Sequence, residues 1–144
     1  MKKIIIGSYP FFSKYPDYKS HDVDYMIFED NPIGYKNFKI FRLMKKGSDC
    51  YYWRNMPKQE FIDYELNHIN EVPMAINALL VPEVCQYKGI TLEDLKQFEF
   101  AFEKMDKKHT YLKNIYDAYV KNGDFVLTNE QRNEAYKVYK EARK

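Results

Sequence analysis

The sequence predicts an α+β fold, with a small β-sheet near the N-terminus followed by a helical region. Two apolar runs of strand length, Lys2–Ile6 and Val23–Phe28, lie within the first 30 residues. From Pro57 onward, apolar residues recur at intervals of three and four, which is the period of an amphipathic helix. Hydrophobic residues make up 45% of the 144 residues, enough for a core. We therefore expect a β-rich core over residues 1–56 and a helical region over residues 57–144 that packs on it as one compact unit.

The β-rich part should contain the two runs, a loop between them and a hairpin after them. The loop carries Pro10 and Pro16, which favours irregular structure or at most one short turn of helix. Beyond the second run we expect, in order, a turn over 31–34, a strand or short helix over 38–44, a turn over 45–48 and a strand over 50–54. The last three of these segments favour a β-hairpin.

The helical part is divided by residues that start and stop helices. We expect a first helix from Pro57 and a second helical stretch that begins at Pro73, is interrupted at Pro82 and ends at Gly89. A third helix should begin at Thr91 and carry an apolar stripe that reaches Met105. The last two should begin at Leu112, with an end at Asn122-Gly123, and at Thr128. Thr91 and Thr128 each have the form of an N-cap with acidic or amide side chains in the first turn.

Two aspartates at the start of the second run, Asp22 and Asp24, carry the clearest chemical signal. Side chains two apart in a strand point to the same face, so these carboxylates would lie about 7 Å apart at the backbone. Mg²⁺ takes oxygen ligands and keeps much of its shell for water and phosphates, so such a pair is a suitable anchor. The alternative is a pair of ordinary surface acids near a turn. The first run ends in Gly7 and Ser8.

Thirteen residues separate Ser8 from Asp22. The order apolar-Gly-Ser, thirteen residues, Asp-apolar-Asp-aromatic resembles the signature of nucleotidyltransferases built like DNA polymerase beta. The resemblance covers the first 30 residues and implies a small mixed β-sheet of the nucleotidyltransferase type. It also implies that Gly7 and Ser8 contact a nucleoside triphosphate, that Asp22 and Asp24 bind catalytic metal ions, and that the cofactor is Mg²⁺ or Mn²⁺.

In that family a third carboxylate on a later strand completes the metal site and helps to deprotonate the attacking hydroxyl. Asp49, at the head of the last strand-like segment, is our candidate for this catalytic role. Asp30 shares the alternation of the acidic pair but lies at the far end of the run. Asp63 and Glu65 lie in a segment with helical spacing, so they are weaker alternatives.

Composition and segment lengths indicate where the protein works. No apolar run reaches the roughly 18 residues that cross a bilayer, and the run before Gly7 is too short for a signal peptide. Cys50 and Cys85 lack metal-ligand spacing, so we expect reduced thiols. We therefore expect a cytoplasmic protein with no membrane partner. A net charge of +2 is too balanced to indicate nucleic-acid binding.

Two functional hypotheses follow. The first is a metal-dependent nucleotidyltransferase that moves a nucleoside monophosphate from a nucleoside triphosphate to an unknown hydroxyl acceptor in a protein, an RNA or a small molecule. The second is a catalytically inactive relative that serves as a nucleotide-binding or protein-interaction module. The identity of the third carboxylate separates the two, because binding needs only the acidic pair whereas transfer also needs proton removal.

Overall fold

The computed structural model describes residues 2–20, 22–28, 44–54, 56–69 and 78–144. The chain divides into two compact units, Met1–Phe61 and Ile62–Lys144. The boundary between the two units falls inside a helix, whereas the sequence predicts a boundary between residues 56 and 57. The expectation that both parts form one compact unit stays a prediction.

The first unit is built on a small mixed β-sheet with the strand order β1-β2-β4-β3. The strands are β1 (Lys2–Ile6), β2 (Val23–Phe28), β3 (Met44–Lys46) and β4 (Asp49–Arg54). β1 is antiparallel to β2, β2 is parallel to β4, and β3 and β4 form an antiparallel hairpin. Both predicted strands and the antiparallel hairpin are therefore confirmed, but Lys45 and Lys46, predicted as part of the turn, belong to β3. The turn predicted over 31–34 and the segment predicted over 38–43 lie outside the described residues.

One face of this sheet forms the core of the first unit. The β1–β2 register aligns Ile4 with Met26 and Ile6 with Asp24, and directly paired residues point to the same face. Ile4, Ile6 and Met26 are buried, whereas Asp24, near the start of β2, is only partly buried. We call this side of the sheet the Asp24 face. Asp24 thus lies at the border of an apolar core, where its carboxylate remains in reach of solvent.

Helices dominate the rest of the chain. They are α2 (Lys58–Ile69), α3 (Pro82–Lys88), α4 (Leu92–Leu95), α5 (Glu99–Phe102), α6 (Tyr111–Asn122) and α7 (Asn129–Glu141). Capping boxes begin α4 at Thr91 and α7 at Thr128, and left-handed glycines end α3 at Gly89 and α6 at Gly123, as the sequence predicts. No helix in the described ranges has the length and apolar character that a membrane crossing requires.

One sequence expectation for the helical part is wrong, and another can be followed only in part. The helix start predicted at Pro73 lies outside the described residues, and Pro82 begins α3, because proline fits the first turn, where its missing N–H has no intrahelical partner. The continuous helix predicted from Leu92 to Met105 is broken into α4, a 3₁₀ turn over Lys96–Phe98 and α5. Nothing in the structure explains why the chain tightens at this turn. Together with the N-terminal sheet, these helices nevertheless confirm the α+β class.

Candidate nucleotide and metal site

The chain turns sharply from β1 into helix α1 (Tyr9–Phe12) at Gly7 and Ser8. Gly7 has a φ of +83°, a left-handed conformation that is open to glycine and strained for other residues. The carbonyl of Ser8 accepts hydrogen bonds from the N–H groups of Phe11 and Phe12, each 3.1 Å long. The Gly-Ser pair therefore occupies a strand-to-helix turn, and α1 is the single short turn of helix that the prolines allow.

Gly7 lies directly beside the Asp24 carboxylate. The register that pairs Ile6 with Asp24 brings the end of β1 against the start of β2. A Cβ atom placed on Gly7 would lie 3.5 Å from Oδ2 of Asp24, which is ordinary van der Waals contact. The bare Cα of Gly7 thus leaves open the space next to this carboxylate. The fold brings these two predicted site residues together although many residues separate them in the chain.

Tyr52 and Cys50 share the Asp24 face with the carboxylate. Asp24 pairs with Cys50 in the parallel register, and Tyr52 follows two residues later on the same face. Burial raises the pKa of the Tyr52 phenol, and the negative charge of Asp24 raises it further, whereas Arg54 lowers it. The phenol therefore stays protonated and can donate a hydrogen bond close to this acid. Sequence analysis missed Tyr52, because only the strand register places it near Asp24.

Asp22 lies one residue before β2 and is exposed. Its backbone carbonyl accepts a hydrogen bond from Oγ of Ser20. The alternation that would put Asp22 on the Asp24 face is a property of extended strand, and β2 begins only at Val23. The shared orientation of the two carboxylates therefore stays a prediction.

The candidate third carboxylate, Asp49, is the first residue of β4 and pairs with Val23 of β2. The strand of Asp49 is therefore the parallel neighbour of the strand that carries Asp24. However, residues paired across parallel strands point to the same face, and Val23 and Asp24 point to opposite faces. The register therefore places Asp49 on the side of the sheet away from Asp24, and its catalytic role stays a prediction.

The other acidic candidates lie elsewhere. Asp63 is exposed on α2, Glu65 is buried on the same helix, and Asp30 lies outside the described residues. Within the ranges that the structure covers, no three His, Cys, Asp or Glu side chains form a group that could hold a metal ion.

Asp22 and Asp24 suit a hard divalent cation. Both supply carboxylate oxygens, the donors that Mg²⁺ and Mn²⁺ prefer. Asp22 is exposed and Asp24 is partly buried, so neither is sealed inside the core. A Cβ on Gly7 would lie 3.5 Å from Oδ2 of Asp24, so the glycine leaves the space of a side chain next to this carboxylate. Two carboxylates with remaining positions open to water and phosphate are the usual protein share of a Mg²⁺ site.

The opposite face of the sheet carries a different group of side chains. The rings of Tyr25 and Tyr51 stack with centroids 5.1 Å apart, and Nζ of Lys3 lies 4.1 Å from the Tyr25 centroid. Tyr25 and Tyr51 pair in the β2–β4 register, so this stack is a cross-strand packing contact. It lies on the face of the sheet opposite Asp24.

No protein-family model, no curated protein and no solved structure matches this chain. The similarity to nucleotidyltransferases thus depends on the Gly-Ser turn, the thirteen-residue spacing and the acidic pair. The nucleotide, the metal ion and the transfer reaction stay predictions.

Proposed function

We propose that this protein is a metal-dependent nucleotidyltransferase, which transfers a nucleoside monophosphate from a nucleoside triphosphate to a hydroxyl acceptor. One observation carries the proposal: the strand-to-helix turn at Gly7 lies against the Asp24 carboxylate, with 3.5 Å between Oδ2 and a Cβ that glycine lacks. A phosphate group held by the turn would thereby come next to the acid that holds the cation.

Each residue has a distinct task in this proposal. Ser8 donates its hydroxyl proton to a phosphate oxygen, and the missing side chain of Gly7 lets the phosphates approach the backbone closely. Asp22 and Asp24 hold Mg²⁺ or Mn²⁺, which supplies charge neutralisation on the phosphates and orients the leaving pyrophosphate. Without the cation, the two carboxylates would repel a triphosphate, so binding should require it.

The proposed transfer also requires a base that removes the proton of the acceptor hydroxyl. Asp49 is the predicted base, but the register turns it away from Asp24. Tyr52 lies on the correct face, yet the pKa of its phenol is raised, so at neutral pH it is a donor and cannot accept the proton.

This observation favours a second candidate function. A protein that holds a triphosphate and cation but lacks a base on the Asp24 face would bind nucleotide without turnover, as a sensor or an interaction module. Both candidates share the binding site, and they differ only in whether a labelled nucleotide is transferred.

The decisive experiment is a transfer screen with nucleoside triphosphates radiolabelled at either the α- or the γ-phosphate, incubated with whole-cell RNA and protein in the presence of Mg²⁺. Nucleotidyl transfer leaves the α-label on the acceptor and releases the γ-label in pyrophosphate. Transfer of the γ-label would instead show a phosphotransferase and refute the proposal.

Two variants make the screen specific. Asp24→Asn should abolish transfer because it removes a charge that holds the cation, whereas Asp117→Asn, at an exposed position on α6, should leave transfer unchanged. Metal-dependent binding with no label on any acceptor would favour the sensor. The absence of binding to all four nucleotides would exclude both candidates.

A further inference from the structure

Tyr18, in the loop after α1, contacts the predicted phosphate-binding turn through its hydroxyl group. Oη of Tyr18 and Oγ of Ser8 lie 2.6 Å apart in a partly buried hydrogen bond. The two residues are ten positions apart, and no feature of the Gly-Ser or acidic motifs indicates the contact. The hydroxyl of Ser8, which the proposed function assigns to the phosphates, therefore already has a defined neighbour.

The Tyr18 ring is held in place by its surroundings. Its centroid lies 6.4 Å from that of the fully buried Phe12 and 6.2 Å from that of Tyr9, the latter in an edge-to-face arrangement. Its backbone N–H donates to the carbonyl of Tyr15 at 3.0 Å. Because ring and backbone are both anchored, the hydroxyl has a fixed position relative to Ser8.

The numbers of protons and lone pairs on the two hydroxyl groups limit the hydrogen bonds that Ser8 and Tyr18 can form. A serine hydroxyl has one proton and two acceptor lone pairs, and a phenol also has one proton. If Ser8 donates to Tyr18, its proton is not available to a ligand. If Tyr18 donates to Ser8, the serine keeps its own proton, which a phosphate oxygen could accept, and the two successive bonds would polarise each other. A bound anion, which can only accept, selects the second arrangement.

We propose that Tyr18 is a positioning residue for triphosphate binding, which orients the Ser8 hydroxyl as a donor to the phosphates. This inference rests on the proposed function, because it assigns Tyr18 a role in the same site. Tyr18 does not touch the ligand itself. Its effect reaches the phosphates through Ser8 alone, and this dependence distinguishes it from a residue that merely stabilises the loop.

A double-mutant cycle tests this dependence. The wild type, Tyr18→Phe, Ser8→Ala and the double variant are titrated by calorimetry with ATP, GTP, CTP and UTP at saturating Mg²⁺, and the tightest-binding nucleotide is used throughout. Tyr18→Phe keeps the ring and its packing but removes the hydroxyl. We expect it to raise Kd about three- to tenfold, the effect of one hydrogen bond. In the Ser8→Ala background, the same change should alter Kd less than about twofold.

A matched control uses the neighbouring ring. Tyr9→Phe removes a hydroxyl from a residue that is adjacent to Ser8 and packs on Tyr18, and we expect its Kd to equal that of the wild type. Additive effects of Tyr18→Phe and Ser8→Ala, or an unchanged Kd for Tyr18→Phe, would overturn the role of Tyr18 and leave the proposed function intact. A wild type that binds none of the four nucleotides would overturn the proposed function, and this inference with it.

Should Tyr18→Phe fail to fold, 3-fluorotyrosine at position 18 provides a second variant. It keeps the ring and hydroxyl but makes the hydroxyl a stronger donor. We expect it to bind the triphosphate more tightly than the wild type, and equal or weaker binding would overturn the role of Tyr18.

Discussion

Replacement of Gly7 by alanine is the most informative single change at the candidate site. The φ of Gly7 is +83°, and a non-glycine residue in a left-handed conformation costs about 1–2 kcal/mol. Alanine also reduces the conformational freedom of the unfolded chain, which by itself favours folding by about 0.4–1 kcal/mol, but at a position with a left-handed native conformation the strain outweighs this gain. We therefore expect Gly7→Ala to lower the free energy of unfolding by about 1–2 kcal/mol.

The substitution should also weaken ligand binding. The new methyl group would lie 3.5 Å from Oδ2 of Asp24, in the space through which a phosphate would approach the acid. Relaxation of the turn to relieve the left-handed strain would also displace Ser8. We expect metal-dependent nucleotide binding to weaken at least about tenfold, which corresponds to about 1.4 kcal/mol.

Gly47→Ala is the matched control. Gly47, in the turn of the β3–β4 hairpin, also has a positive φ of +65°, but a Cβ there would meet no atom within 4 Å. Both substitutions therefore impose a similar backbone cost, and only the one at Gly7 adds a group next to Asp24.

The assay combines unfolding with calorimetry on the full chain. Denaturant unfolding is followed by the fluorescence of the single tryptophan, Trp53, which belongs to β4 of the same unit. Nucleotide titrations with and without Mg²⁺ give the binding constants of both variants. Equal losses of binding in Gly7→Ala and Gly47→Ala would show that the loss comes from weakened folding, and the assignment of Gly7 to the site would be refuted. Undiminished binding in Gly7→Ala would refute it as well.

Two further predictions concern charge and protonation. The double variant with Asp22→Asn and Asp24→Asn should lose metal-dependent nucleotide binding. Its thermal midpoint should stay equal or rise, because two like charges are removed. A calorimetric melt with a large loss of stability would instead show that the pair has a structural role. Burial raises the pKa of the Cys85 thiol from 9.0 to about 12, and the charge of Asp94 adds to the rise. Between these two pH values the folded state keeps the thiol proton that the unfolded state loses. The free energy of unfolding should therefore keep its full value below pH 9.0 and decrease as the pH rises toward about 12. In a Cys50→Ser background, Cys85 should accordingly resist a thiol reagent at about pH 8 until denaturant is added, and rapid reaction of the native protein would contradict its burial.

Signals that act over a few residues were readable from the sequence. The apolar runs Lys2–Ile6 and Val23–Phe28 became strands, because a short apolar run is a signal carried by neighbouring residues. Thr91 and Thr128 begin helices through bonds to residues three positions away, and Gly123 ends a helix through its own backbone conformation. Such features need no information from distant parts of the chain.

The position of Asp49 shows what the sequence left open. The sequence places Asp49 at the head of a strand-like segment, but the neighbour of that strand and the face of Asp49 depend on strand pairing, and a shift of one residue would have moved Asp49 to the Asp24 face. Sequence determined by itself which residues could bind a cation and a phosphate. Only the tertiary structure decided that Gly7 meets Asp24, that Tyr18 meets Ser8 and that Asp49 points away, because pairing between strands and closure of a loop set distances that no local pattern encodes.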